Sequence, residues 1–413
     1  MEWFSVAKYG LFVHYGLYAI PGGEWNGRIA PHGAEWLMKN LRIPLREYAA
    51  LAGKFNPVDF DAEALADSAV KWGMKYLVFT AKHHDGFAMY DSAVSDYSIM
   101  HTPYGRDMLR EIADACHRRD LHFGIYYSQM QDWEHPDGDG NDWDYIPAEK
   151  KFERYFYGKA LPQVRELLQN YGAVDLIWFD TPYDMPQAYC RELADTVHTL
   201  APDCLINGRI GYGLGDYRNM ADNSIPVRML SGRWETPMTL NRTWGYSRHD
   251  QNWKTASEVI SLLVRVAEKG GNLLLNVGPD EKGVIPPASV KILDEVSRWL
   301  RNNGDSIFGT GGTPDFPYEN RWGHVTCSQD RRTLYLHVFR YPVYPYRIQL
   351  TGLKTGVNGA WEIDGKPLEF RQSYEPARDE HRLYVFLPEA QKNLPLDFVV
   401  RLSLKDEAEV QEL

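Results

Sequence analysis

Ala173-Val174-Asp175-Leu176-Ile177-Trp178-Phe179-Asp180 is the stretch on which the reading of this chain turns. Its centre is apolar, β-branched and aromatic, and it is too short for a stable helix. The segment before it, Lys159 to Tyr171, carries Leu161, Val164, Leu167 and Leu168 at helical spacing and is stopped by Gly172. A helix, a glycine stop and a short apolar run read together as one βα repeat with a buried parallel strand. Asp180 ends that strand, and Thr181-Pro182 breaks the chain directly after it. A carboxylate at the C-terminal tip of a buried parallel strand stands where barrel enzymes hold catalytic groups. Taken alone, the same aspartate also reads as the cap of a following helix.

Similar units lie on both sides. Strands are expected at Tyr9 to Gly16, Lys75 to Ala81, Leu121 to Ser128, Cys204 to Arg209, Arg233 to Asn241 and Asn272 to Pro279. Between them, helices are expected at Asp61 to Trp72, Asp107 to Arg119, Gln187 to Leu200, Thr255 to Lys269 and Pro287 to Asn302. Seven strand-like runs alternating with helices predict a (β/α)8-type TIM-like barrel. It is expected to be irregular: the helix before the sixth strand is missing and the eighth strand is indistinct. Gly211 to Val227 reads as a polar loop, and Gln131 to Pro147 as a lid rich in Asp, Gly and Trp. After about Gly312 the texture changes to short alternating segments separated by turns. That predicts a C-terminal antiparallel β-sandwich, with the barrel at residues 1–312 and the sandwich at 313–413.

The 413 residues are 44% hydrophobic and 24% charged, the composition of a folded globular chain. Net charge is −11 with both signs interspersed, which disfavours nucleic acid and anionic membrane as partners. Cys116, Cys190, Cys204 and Cys327 are widely spaced with no CxxC pair, so neither a zinc ribbon nor a disulfide scaffold is expected. The chain opens without a basic leader and holds no apolar run of about 18 residues, so a cytoplasmic location is the expectation. Thirteen tryptophans and 26 tyrosines suit stacking on sugar rings, and equally a large core.

On a barrel, the polar residues assigned to strand tips converge on one rim: His14, His83, His84, Tyr126, Asp180, Arg209 and Glu235. Two carboxylates with neutral and cationic donors are the ingredients of glycoside hydrolysis. His83-His84 lacks the spacing of a helical metal motif and no cysteine joins it, so no metal or other cofactor is expected.

Seven motifs in order resemble the α-L-fucosidases of glycoside hydrolase family 29. They are Gly10-Leu-Phe-Val-His14-Tyr-Gly16, Ala34-Glu35-Trp36, Lys82-His-His-Asp-Gly-Phe87, Gly124-Ile-Tyr-Tyr-Ser128, Leu176-Ile-Trp-Phe-Asp180, Trp234-Glu235 with Trp244-Gly-Tyr246, and Gly270-Gly-Asn-Leu-Leu-Leu-Asn-Val-Gly-Pro279. The resemblance implies a retaining exo-hydrolase that removes terminal α-L-fucose from glycans through a covalent glycosyl-enzyme. It implies that Asp180 is the nucleophile and that Arg209 lies near the sugar. It implies that His14, Glu35, Trp36, His83, His84 and Tyr126 hold hydroxyls or pack on the ring, and that Trp244 meets the C6 methyl. Two carboxylates are candidates for the general acid/base, Glu235 on a defined strand and Asp222 in a loop; Glu235 is favoured because a strand holds a group more firmly. The competing readings are a catalytically silent carbohydrate-binding protein on the same fold and a barrel glycosidase for another galacto-configured sugar. Homo-oligomerisation, and the linkage preference, are left open by the sequence.

Overall fold

The computed structural model describes residues 2–389 and 396–412. Its first part is built on eight parallel strands: β1 (Tyr9–Val13), β2 (Tyr76–Lys82), β3 (His122–Tyr127), β4 (Leu176–Phe179), β5 (Leu205–Ile206), β6 (Arg218–Asn219), β7 (Trp234–Thr239) and β8 (Asn272–Val277). Their spatial order is β5-β4-β3-β2-β1-β8-β7-β6. Chain order therefore runs around a curled sheet, whose two ends approach each other at one isolated bridge, Asn207 to Tyr217.

Helices cover the outside where the sequence predicts them. Asp61 caps Ala62–Lys71 by accepting from the Ala64 N–H, and Asp107 caps Met108–His117 by accepting from Arg110. Thr255 and Glu258 form a capping box at the start of Ala256–Glu268. Alternation decides which side chains face which layer. Leu11, Val13, Leu77, Phe79, Ile125 and Ile177 join the large cluster that contains the helices' apolar faces. Phe12, Tyr76, Val78, Tyr126, Leu176, Trp178 and Leu274 form a separate cluster inside the curl. Gly10 makes that interior possible: a Cβ there would lie 2.3 Å from the Tyr76 ring, which crosses above it.

The sheet is irregular on one side. Only a 3-10 turn, Gly208–Ile210, separates β5 from β6, and no helix lies between β6 and β7. The indistinct eighth strand is Arg218–Asn219, inside the stretch expected to be a loop. Two residues are too few to display a period. Because β5 is equally short, a side chain extends its ladder: Phe179 N–H donates to Asn207 Oδ1 at 2.8 Å, and Asn207 Nδ2 donates to the Phe179 carbonyl at 2.8 Å.

Among the described residues the C-terminal region holds seven antiparallel strands where five were expected. They are β9 (Gly323–Cys327), β10 (Thr333–Val338), β11 (Arg347–Thr351), β12 (Val357–Glu362), β13 (Phe370–Glu375), β14 (Glu380–Phe386) and β15 (Phe398–Leu404), in sheets ordered β9-β10-β15-β12 and β11-β14-β13. β13 was missed because no residue in it is buried, which leaves no apolar alternation to read. Val325, Leu336, Val400 and Leu402 of one sheet share an apolar cluster with Ile348, Leu350, Leu383 and Val385 of the other, the packing of two sheets face to face. Among the described residues no helix is long and apolar enough to cross a membrane. All four cysteines are buried and unpaired.

Candidate active site

Asp180 follows the last residue of β4, and period-two alternation sets Trp178 directly beneath it on the inner face. Its carboxylate is almost fully buried, at 8% exposure, and is approached on both oxygens. Oδ1 accepts from Arg209 Nη1 at 2.9 Å and from the Thr181 N–H at 2.9 Å. Oδ2 accepts from the Tyr126 hydroxyl at 2.9 Å and stands 3.6 Å from His84 Nε2. Burial alone would raise the pKa of this acid, but the Arg209 charge and these donors outweigh it and hold the carboxyl below its usual range. Asp180 is thus kept ionised and aimed at the rim, the state a nucleophile needs. Its own N–H donates to Gln129 Oε1 at 2.8 Å, and it caps no helix, since the next one starts at Gln187 with Pro186 in the cap position.

Arg209 sits on the turn after β5. Beyond Asp180 it donates through Nη2 to Asp222 and to the Met220 carbonyl, and its guanidinium lies 4.7 Å over the Trp178 ring. Asp222 is half-exposed, with 45% of its side chain in solvent. One guanidinium therefore carries both aspartates, one on each terminal nitrogen.

Glu235 lies elsewhere, which corrects the expectation that it belongs to the rim. It is the second residue of β7, paired in register with Asn272, the first residue of β8. It is wholly buried inside the curl: Oε2 accepts from Tyr76 at 2.6 Å, and Oε1 from Trp178 Nε1 at 2.8 Å and Asn219 Nδ2 at 3.3 Å. Desolvation pushes its pKa up to about 7 against those donors. The Trp178 indole lies on the route from its carboxyl to Arg209 and the rim.

Three histidines meet above Tyr126. His83 stacks on the tyrosine ring at 5.4 Å, and His14 lies edge-on to both at 5.7 and 5.4 Å. A turn after β2, in which Gly86 N–H donates to the His83 carbonyl, lets the adjacent His83 and His84 face the same space. Asn276 Nδ2 donates to the Trp244 carbonyl, so its Oδ1 must accept from His14 Nδ1–H at 2.7 Å. The Ser128 hydroxyl donates to the Gln131 carbonyl, so it likewise accepts from His84 Nδ1–H at 2.7 Å. Both rings thereby present Nε2 as an acceptor. Burial lowers the pKa of His14 to about 4 and of His84 to about 3, which keeps them neutral acceptors. His83 Nδ1 is buried without any partner.

Glu35 is buried in the turn Ala34–Trp36, and its Oε2 accepts from Thr243 Oγ1, Trp244 N–H and Gly245 N–H at 3.1, 3.2 and 2.9 Å. Burial raises its pKa despite these donors. Trp36 lies edge-on to His84 at 4.8 Å, and Trp244 lies 5.2 Å from His14. Asp180, Arg209, Tyr126, His14, His83, His84, Glu35, Trp36, Trp244 and Asp222 thus share one end of the sheet, and Glu235 alone of the candidates does not.

Sequence reasoning missed the supports. Beneath the His83-His84 turn, Asp132 is fully buried between Lys82 at 2.9 Å and Lys159 at 2.9 Å, and Lys159 also reaches Glu134 at 2.8 Å. Burial opposes the charge on Asp132, yet the two ammonium groups hold it well below the carboxylate range. Gly86 is required here, because its φ is +80° and a Cβ would lie 2.3 Å from Asp132 Oδ1. The supports are far apart in sequence, and nothing but a motif's tendency to put charge beside histidine marked them. Among the described residues, no cluster of three His, Cys, Asp or Glu is arranged to hold a metal ion.

Comparison with known proteins gives consistent results. The family model described as α-L-fucosidase matches residues 1–305. The tissue α-L-fucosidase of Rattus norvegicus is 32% identical over 333 residues, covering 75% of this chain and 70% of the rat protein. The crystal structure of an α-L-fucosidase from Vibrio sp. strain EJY3 superposes with a TM-score of 0.93 at 33% identity, over 99% of this chain and 73% of that one. AlfC of Lactobacillus casei, solved with α-L-fucose product, gives a TM-score of 0.70 at 40% identity, over 74% of this chain and 98% of its own. The chain belongs to the α-L-fucosidase family of glycoside hydrolases.

Proposed function

We propose that this α-L-fucosidase family member is a retaining exo-hydrolase of terminal α-L-fucose, with Asp180 as nucleophile and Asp222 as general acid/base. The observation that carries the reading is the single guanidinium of Arg209 binding both aspartates, one buried and ionised, the other open to solvent. A retaining pair must stand close, about 5–5.5 Å apart, for one carboxylate to attack the anomeric carbon directly. Sharing one guanidinium draws the two carboxyls together, which supports a retaining pair. Asp222 reaches solvent where the leaving group departs, whereas Glu235 is sealed under Trp178 with both oxygens occupied.

In this reading, Asp222 delivers a proton to the leaving oxygen as that oxygen's bond to the anomeric carbon breaks and Asp180 Oδ2 bonds to the carbon. The Tyr126 hydroxyl and Arg209 then remain to hold the carboxylate departing in the second step, in which Asp222 removes a proton from water. His14 and His84 accept hydrogen bonds from sugar hydroxyls through Nε2, and His83 and Glu35 line the same space. Trp36 packs on the ring and Trp244 meets the C6 methyl. The substrate is a fucosylated glycan or glycoside.

The test is hydrolysis of an aryl α-L-fucoside by Asp180→Gly, Asp222→Gly and Glu235→Gly, with and without azide. Asp222→Gly is expected to be rescued with formation of the α-fucosyl azide, and Asp180→Gly to give only the β-azide. An α-azide from Glu235→Gly and none from Asp222→Gly would overturn the assignment.

A further inference from the structure

Trp178 and Glu235 are not used by the chemistry proposed above, yet the groups that grip Asp180 rest on them. Arg209, which bonds Oδ1, lies 4.7 Å over the Trp178 ring. Tyr126, which bonds Oδ2, stacks on the other side of the site against the same ring at 5.7 Å with an interplanar angle of 21°. Trp178 is paired in register with Tyr126, so the two rings are neighbours by strand geometry. An indole can turn about its side-chain bonds, and stacking alone is tolerant of rotation. What fixes this one is the hydrogen bond from Nε1 to Glu235 Oε1 at 2.8 Å.

Glu235 in turn is fixed from below. Tyr76 donates to its other oxygen at 2.6 Å, and Asn219 Nδ2 donates to Oε1 at 3.3 Å. Tyr76 passes over Gly10, the position where any side chain would collide with its ring. The contacts form a continuous chain from β2 and β6 through Glu235 and Trp178 to both oxygens of Asp180. What the indole requires of this side chain is one acceptor oxygen, while the other terminal atom pairs with the Tyr76 hydroxyl.

We propose that Glu235 is a positioning residue: through Trp178 it sets the plane on which Arg209 and Tyr126 are held, and so sets the aim of the Asp180 carboxylate. It neither gives nor takes a proton in the reaction. The inference rests on Asp180 being the nucleophile, and a separate measurement checks that premise. A ring-fluorinated fucosyl fluoride, which leaves the sugar stranded on the enzyme, is applied to the wild type, and the labelled peptide is identified. Label elsewhere than Asp180 overturns the premise, and the inference with it.

The inference itself is tested with Glu235→Leu, Glu235→Gln and Trp178→Phe on an aryl α-L-fucoside. Trp178→Phe keeps an aromatic ring but removes the donor together with part of the stacking surface, and Glu235→Gln keeps an acceptor for the indole. Loss of the indole-to-carboxylate bond should lower kcat about tenfold or more in Glu235→Leu and Trp178→Phe, with KM changed by about twofold at most. Glu235→Gln should retain kcat within about threefold, and the Glu235→Leu/Trp178→Phe double variant should be little worse than either single one. Azide should rescue none of them. Trapping by the fluorinated sugar should be slowed in the same ratio as kcat, with the label still on Asp180. A merely structural role would lower the melting temperature and leave kcat of the folded fraction unchanged, and that result overturns the proposal. So does azide rescue of Glu235→Gln with the α-configured product, which would make Glu235 the acid/base after all. Trp178→Phe, which breaks the same bond without touching the buried carboxyl, keeps the test decisive if Glu235→Leu does not fold.

Discussion

Replacing Glu235 by glutamine should change how stability depends on pH, and the size of the change follows from the site. The carboxyl is fully buried, and desolvation lifts its pKa from 4.5 to about 7. Between those values the folded state holds a proton that the unfolded chain has released, so the folded state binds more protons and stability falls as pH rises. The contribution is complete below the unfolded pKa and is lost as pH climbs through about 7. One pKa unit corresponds to about 1.4 kcal/mol, so the wild type should lose about 3 kcal/mol relative to Glu235→Gln between pH 4.5 and 8.5. Every other titrating group is common to both proteins and cancels in the difference. The assay is equilibrium unfolding in urea at a series of pH values, reading the slope of the difference and not its offset. The offset contains the cost of leaving Tyr76 with an amide in place of a carboxylate. If the two stability curves run parallel, Glu235 does not change protonation on unfolding in this range, and the account of its burial is wrong.

Three further outcomes are expected. Tyr126→Phe removes one hydrogen bond to an ionised carboxylate, about 1.5–3 kcal/mol, and should lower kcat/KM of an aryl α-L-fucoside about 10- to 100-fold; steady-state kinetics with unchanged kcat/KM would remove Tyr126 from the site. Lys82→Met leaves Asp132 with Lys159 as its sole cation and should cost about 3 kcal/mol in a urea titration, whereas a loss below about 1 kcal/mol would mean the buried ion network is not rigid. Gly86→Ala forces a side chain into left-handed backbone and against Asp132, and should destabilise by about 1–3 kcal/mol with a matching drop in melting temperature.

Most of the reacting end of the molecule was legible because it obeys a local rule. Asp180 and His14 each follow a short apolar run, and an apolar run that stops at a polar residue marks both a strand and its end. Glu235 obeys the same alternation and still deceived the reading. Period two reports that a side chain faces inward but says nothing of its height along the strand. Glu235 is the second residue of β7 and so lies at the buried end. Trp178 was visible only as a strand hydrophobe, since the bond that gives it direction comes from a residue 57 positions away. β6 escaped for another reason, as two residues cannot show a pattern and its pairing is dictated by β7. Charges such as Lys82, Asp132 and Lys159 become a unit only when a strand end, a loop and a helix fold together, and no spacing foretells that.

The side of the curled sheet that lacks helices has a consequence for how such a protein can be altered. From Gly208 to the start of β7, the chain is attached by a two-residue strand and a handful of side-chain bonds, and Val227 is 91% exposed. This wall carries Asp222 and is tied to the core by Ile210, with Met220, Ile225 and Leu230 packed against it, which leaves Val227 to Met229 as its exposed tip. Insertions at Val227 to Met229, beyond the bonds that tie Asn223 and Ser224 to β7, would therefore change the surface near Asp222 without unseating Asp180. The tolerance ends at Tyr217 to Asn219, where one bridge, the β6 register and the bond from Asn219 to Glu235 meet. A designer seeking new acceptors should cut on one side of that knot and leave the knot itself intact.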